Sequence, residues 1–554
     1  MPTPIADGPL AHLRAHLAGP RGQDRVDALL ASDDPAAEVA ALTPGAVHEL
    51  VLAVGIDEAG PLLALATPAQ FQGFFDLEVW ERDRVDLAQA GPWLAALLDL
   101  GFEKVGAVWH GLDPEFRALY VGGQTVVYDL TGGEDPDHDI AYVEDPEPPP
   151  VWFSPDQAFA VRLLGGEDQV RLTMGLLDDL YRADMALARH TLLTARSEPT
   201  AALEEDSYRW RTGRLADQGY VDFYDALELF APLSPEGFAA EPVQAAIVVD
   251  ADGTPMPLAL AEKLVAQSFL ARAWDRCTSD DPTAHARLEQ ALVSLVNKVL
   301  AAARVRPGDV DAKAAAADYA TATVSLGLET VARGDVAVAA TMLAGGALTR
   351  LHRVGYTVTQ KLAKVALALA PRAATADDRA TAVVAALCTP RPWLARAVDE
   401  PPAPGVRPFA STADLRLVAE ILADLALRIA VAERLGVALA AMATLPEPRP
   451  ALDDHARTAL TRWLATGDLA PRALALDQLT AARARLAAGV DAAAAVAVVR
   501  ASLGDDGGLP ARLTALVERW LGELAATLGD LDLTPARFDP RFVEGLLVEV
   551  GARA

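Results

Sequence analysis

His285-Ala-Arg-Leu-Glu-Gln-Ala-Leu-Val-Ser-Leu-Val-Asn-Lys-Val-Leu-Ala-Ala-Ala303 is the stretch on which the fold turns. Leu288, Ala291, Leu292, Leu295 and Val299 recur at spacings of three and four, which places them on one face of an α-helix. Val293, Val296 and Leu300 form a second stripe. A helix with two apolar stripes packs on two sides, as in a layered bundle or a solenoid.

The same logic extends along most of the chain. Alanine and leucine dominate, arginine and glutamate fill the polar faces, and strand-like alternation is rare. Helix starts carry a recurring device, a small polar or acidic residue followed by proline: Thr43-Pro44, Thr67-Pro68, Asp113-Pro114, Ser234-Pro235, Asp281-Pro282 and Thr534-Pro535. The first residue can accept from a free N–H of the opening turn, and proline fits the next position, where its missing N–H has no intrahelical partner. Leu42-Thr-Pro-Gly-Ala-Val47 and Ala66-Thr-Pro-Ala-Gln-Phe71 suit short helical hairpins stacked side by side. Their spacing is too loose for a true repeat.

The pattern breaks between Thr125 and Leu164. Thr125-Val-Val-Tyr-Asp-Leu130, Val151-Trp-Phe153 and the alternating Phe159, Val161 and Leu163 predict two or three short strands. Between them lie Gly132-Gly-Glu-Asp-Pro-Asp-His-Asp139 and Glu144-Asp-Pro-Glu-Pro-Pro-Pro150, a solvated acidic linker held extended by its prolines. We therefore expect a mainly α protein of stacked helical hairpins and helical bundles with a small β-containing insertion. Its expected divisions are an N-terminal array over 1–120, the β insertion over 121–165, a middle helical segment over 166–257, a central bundle over 258–445 and a C-terminal subdomain over 446–554.

Composition bounds the function. The 554 residues carry 48 Lys plus Arg against 77 Asp plus Glu, a formal net charge of −29. That field repels phosphate and anionic lipid, which argues against nucleic-acid binding. Val336–Thr349, among the longest charge-free runs, falls short of the roughly 20 apolar residues that a bilayer crossing requires, so no membrane insertion is expected. The two cysteines, Cys277 and Cys388, exclude a disulfide scaffold and suit a reducing cytoplasm.

Candidate chemistry is sparse. Ile247-Val-Val-Asp-Ala-Asp-Gly-Thr254 resembles the first motif of haloacid-dehalogenase-type phosphatases, which would make Asp250 the nucleophile and Asp252 the acid/base of a metal-dependent phosphohydrolase. That chemistry needs a parallel α/β sheet, whereas long helices follow here, and Asp-Gly is an ordinary turn. Asp135, Asp137 and Asp139 alternate as a calcium loop begins, but Ile140 and Pro146 occupy the positions that would need glycine and glutamate. His12 and His16 stand one helical turn apart with no third ligand nearby. No nucleotide or serine-hydrolase motif is present.

The strongest departure from the chain's own composition is Tyr208-Arg-Trp-Arg-Thr-Gly-Arg214, a basic–aromatic island followed by Asp217. Two roles fit Tyr208, Arg209, Trp210, Arg211, Arg214 and Asp217. One is a binding point for an anionic group, since guanidinium forks match carboxylate and phosphate. The other is a structural ion-pair cluster with Asp217, Asp222, Asp225 or Glu204-Glu-Asp206. The second is favoured, because an acidic chain offers every arginine many partners.

Glu205-Asp-Ser-Tyr-Arg-Trp-Arg-Thr-Gly-Arg-Leu-Ala-Asp-Gln-Gly-Tyr220 and the following Asp225-Ala-Leu-Glu-Leu-Phe-Ala-Pro232 resemble the central signature of an uncharacterised bacterial family, a domain of unknown function. Pro61-Leu-Leu-Ala-Leu-Ala-Thr-Pro68, Asp76-Leu-Glu-Val-Trp80, Leu295-Val-Asn-Lys-Val-Leu-Ala301, Ser325-Leu-Gly-Leu-Glu329 and Arg353-Val-Gly-Tyr356 agree in order. The resemblance implies a mostly helical cytoplasmic protein and carries no activity or cofactor with it. The N-terminal part is also similar in pattern to the superhelical cytoplasmic domain of bacterial magnesium transporters. Stacked helices offer large surfaces, so the function expected is that of a non-catalytic cytoplasmic interaction or scaffold protein with a protein partner. The phosphohydrolase at Asp250 and Asp252, and a divalent-cation-sensing regulatory module, are the alternatives.

Overall fold

A computed structural model describes residues 22–81, 83–142, 145, 147–218, 220–240, 268–278, 282–305, 310–373, 376–442, 449–504 and 510–549. The described chain is mainly helical, with only small sheets of two or three strands. It forms two compact units. Of the described residues, the first takes in those within 22–231 and 277–320, the second those within 232–240, 268–276 and 321–549. The pair Asp250 and Asp252, together with His12 and His16, lies outside the described residues.

The first unit opens with short helices: α1 (Gly22–Leu30), α2 (Pro35–Ala41), α3 (Pro44–Val54), α4 (Gly60–Leu65) and α5 (Pro68–Glu78). A ribbon of β1 (Trp80–Glu81) and β2 (Arg84–Val85) precedes α6 (Gly91–Asp99), α7 (Phe102–Gly111) and α8 (Pro114–Gln124). Thr43 and Thr67 cap α3 and α5 as their sequence predicts. Thr43 Oγ1 accepts from Ala46 N at 3.2 Å, and Thr67 with Gln70 forms a reciprocal capping box. The prolines also pack. A Cβ on Gly73 of α5 would lie 2.3 Å from Pro44 Cβ, and one on Gly111 of α7 would lie 2.4 Å from Pro68 Cβ. Each Thr-Pro start thus rests against a glycine of a later helix, which brings the backbones close.

Two of the expected starts behave differently. Asp113 precedes α8 but its carboxylate accepts from no N–H of the opening turn, being drawn to Arg214. Thr534-Pro535 opens a single turn rather than a helix.

Strands β3 (Thr125–Asp129), β4 (Val151–Phe153) and β5 (Phe159–Leu163) make an antiparallel sheet in the order β3-β5-β4, with Val127 opposite Val161 and Trp152 opposite Val161. The acidic linker between β3 and β4 is strapped down. Buried Arg162, on the central strand, donates to Pro136 O at 2.7 Å and Pro149 O at 3.2 Å. Asp135 and Asp139 build turns there: Asp135 accepts from Asp137 N at 2.9 Å, and Asp139 accepts from Tyr128 Oη at 2.5 Å. Helices α9 (Glu167–Ala183), α10 (Met185–Ser197), α11 (Thr200–Asp217), α12 (Phe223–Ala226) and α13 (Pro282–Ala303) also belong to this unit. Its core is aromatic at the centre, with Phe71, Phe74, Phe75, Trp93, Trp109 and Tyr120 fully buried. In α13 both stripes are covered, Leu288, Leu292 and Leu295 on one and Val293 and Val296 on the other.

In the second unit, residues 321–332 of α14 (Val310–Ala332) are followed by α15 (Val336–Ala344), α16 (Leu348–Leu369), α17 (Asp378–Leu387), α18 (Thr412–Arg434), α19 (Leu452–Thr466), α20 (Leu476–Ala487), α21 (Ala492–Leu503) and α22 (Pro510–Asp530). A ribbon of β6 (Leu394–Ala395) and β7 (Val406–Arg407) lies between α17 and α18. Two hydrophobic clusters share α18: Leu422, Leu425 and Ile429 enter one, Leu427 and Val431 the other. Arg428 of the same helix is 5% exposed and is held by Asp377, Asp424 and Asp453 at 2.7, 3.1 and 3.2 Å.

Candidate functional site

Helix α11 carries the basic–aromatic island, and its two sides meet different neighbours. Leu203, Ser207 and Leu215 are buried, with Arg211 and Arg214 beside them. Arg214 reaches Asp76 of α5 through both Nε and NH2, at 2.8 and 2.9 Å, and Asp113 through NH1 at 2.6 Å. Asp76 is 1% exposed, so this bidentate pair is nearly dry on the carboxylate side. Gln72 extends the network, donating to Asp76 Oδ1 at 3.0 Å and accepting from Asp113 N at 2.9 Å. Burial alone would lower the Arg214 pKa, but the two carboxylates outweigh it and raise it.

Arg211 Nε donates to the Asp76 backbone oxygen at 2.7 Å, and its guanidinium lies 5.5 Å from the Trp80 ring centre and 6.0 Å from that of Tyr208. Burial lowers its pKa, with Asp76 acting against the shift. Tyr208 Oη donates to Asp222 at 2.6 Å, and burial together with that bond pushes the phenol up to about 12. Tyr220 approaches α3: a Cβ on Gly45 would lie 2.5 Å from its hydroxyl. The quoted segments 76–80 and 205–220 are therefore two halves of one lock, although more than a hundred residues separate them.

Arg209, Trp210 and Asp217 stay outside it. Arg209 and Trp210 are exposed, the guanidinium 5.6 Å from the Trp210 ring, and Trp210 keeps 51% of its surface. Asp217 is exposed at the helix end and pairs with neither Arg211 nor Arg214. Of the acids expected as arginine partners, Asp222 instead holds Tyr208. The actual partners, Asp76 and Asp113, carry no local signal, because any of the chain's 77 carboxylates could have served.

On its other side α11 borders an open groove of about 550 Å³. Asp83, Glu204, Glu205, Asp222 and Asp225 line it together with the rings of Tyr208 and Tyr224. Glu204 is oriented by Val85 N, which donates to its carboxylate at 2.8 Å. Among the described residues, no group of three or more His, Cys, Asp or Glu side chains is arranged to hold a metal ion.

Two further quoted segments, 325–329 and 353–356, meet in the second unit. A Cβ on Gly327 of α14 would lie 1.9 Å from Leu351 O, and one on Gly355 of α16 would lie 2.1 Å from Thr323 O. The helices cross backbone to backbone at these two glycines. Glu329, two residues on, accepts from Thr412 N at 2.9 Å and Thr412 Oγ1 at 2.7 Å, which anchors the start of α18. Ser325 Oγ accepts from Leu270 N at 3.3 Å.

Among the described residues no disulfide is formed, and no single helix is long and apolar enough to cross a membrane. No curated protein and no solved structure matches the chain, and the expected similarity to the magnesium-transporter domain is not shown. A family of unknown function, DUF6178, matches residues 3–549, and the chain belongs to that family.

Proposed function

We propose that this is a non-catalytic interaction or scaffold protein of the cytoplasm, and that the groove beside α11 receives a lysine- or arginine-rich segment of a protein partner. One observation carries the reading: the island's inward arginines are held within the chain, Arg214 by Asp76 and Asp113 and Arg211 by the Asp76 carbonyl, while the groove on the other side of the same helix is lined by five carboxylates and two tyrosines. Carboxylates attract and orient cationic side chains, and tyrosine faces hold guanidinium or ammonium groups. The overall charge of −29 adds long-range steering toward such a partner.

The test is isothermal titration of the full chain with an oligo-arginine peptide. Saturable binding that weakens with salt and with Glu205→Gln/Asp225→Asn supports the groove. Absence of binding, or binding indifferent to that pair, overturns it. Magnesium-dependent phosphatase turnover abolished by Asp250→Asn/Asp252→Asn would replace it with the enzymatic reading. A thermal midpoint raised by magnesium or calcium would favour the cation-sensing one.

A further inference from the structure

A second stretch of the chain is rich in cations and free of acidic residues in sequence. Between Asp335 and Asp377 the chain holds no aspartate or glutamate, although 77 are spread over its length. Helix α16 occupies the middle of that stretch, and its two halves use their cations differently. Arg350 and Arg353 turn inward, donating to the carbonyl oxygens of Phe238 and Pro232. In the second half Lys361 and Lys364 are exposed, and so are Val365, at 46%, and Leu367, at 65%. Positions 361, 364, 365 and 368 follow the three–four spacing, so they form one ridge, with Leu367 flanking it one turn from Lys364. Arg372 continues the row just past the helix, where it pairs with Glu433 at 3.3 Å at the surface.

We propose that this ridge is a docking surface for an acidic, leucine-bearing segment of another protein. The argument is charge complementarity joined to exposed apolar area. Two lysines one turn apart match carboxylates at the same spacing on a partner helix, and Val365 and Leu367 supply area that water leaves unfavourably solvated. An anionic membrane fits less well. Lipid-binding helices gather about four to eight cations, whereas this ridge has two lysines. The proposal stands apart from the groove beside α11, whose charge and partner are opposite in sign.

The experiment is fluorescence anisotropy of the full chain with a labelled helical peptide of repeating Glu-Glu-Leu-Leu. The expected result is binding that weakens about tenfold or more with Lys361→Glu/Lys364→Glu and clearly with Leu367→Ser, while Glu205→Gln/Asp225→Asn leaves it unchanged. These side chains are exposed, and circular dichroism with a thermal melt confirms that each variant remains folded. No binding by the parent protein at low salt, or binding that both ridge variants retain, overturns the proposal. Binding of phosphatidylglycerol vesicles in place of the peptide, lost in the lysine variant, would replace it with a membrane contact. Sedimentation showing a dimer that the lysine variant dissolves would replace it with self-association.

Discussion

Removing the Asp76 charge tests whether the lock holds the first unit together. Asp76→Asn keeps the shape and the acceptor toward Gln72, but leaves Arg214 with Asp113 alone. Breaking a fully buried pair costs about 3–5 kcal/mol. Arg214 is about one-third exposed and retains its second carboxylate, so we expect a loss below that range, about 2–3 kcal/mol. Arg214→Met should cost at least as much, because it strands a carboxylate that has almost no contact with water. In Asp76→Asn/Arg214→Met both charges are gone, so the double variant should recover part of the loss, with a coupling of about 2 kcal/mol. Urea denaturation combined with hydrogen exchange over residues 200–217 reads this unit specifically, since a chain of two units need not unfold in one transition. A coupling below about 0.5 kcal/mol, or an Asp76→Asn variant as stable as the parent, would refute the lock.

The glycine crossing and the tyrosines give two further tests. Gly327→Ala and Gly355→Ala must each push a carbonyl away from a Cβ that would otherwise lie near 2 Å from it. Each should lose about 2–3 kcal/mol net despite alanine's better helix propensity, read as faster hydrogen exchange across α14 and α16. Burial holds Tyr181, Tyr208 and Tyr220 at about 12. The unfolded chain ionises these phenols near 10, so above that pH it binds fewer protons than the native state and stability falls as pH rises toward 12. Phenolate absorbance should therefore develop late in the folded protein and earlier in urea. Equal titration in both would contradict the burial.

What was legible early was local. Thr67, Gln70 and Pro68 are neighbours in the chain, so their capping box could be read from spacing alone. Strands β3, β4 and β5 are legible in their β-branched and aromatic runs, and α13 in its two apolar stripes. The ribbons β1–β2 and β6–β7 leave no mark in the sequence, because two residues per strand carry no period. Arg162 looked like any strand residue, yet it anchors the acidic linker through carbonyl oxygens that composition does not mark.

Sequence by itself determined that the chain would coil into amphipathic helices, where several of them would begin, and that one basic–aromatic segment stood apart. Tertiary structure alone decided that Arg214 would take Asp76 and Asp113, that Gly327 would face Leu351, and that the cations of α16 would split between inward and outward roles. The reason is physical. Capping and periodicity act between residues a few positions apart, whereas ion pairing in so acidic a chain is degenerate until packing brings one carboxylate within reach.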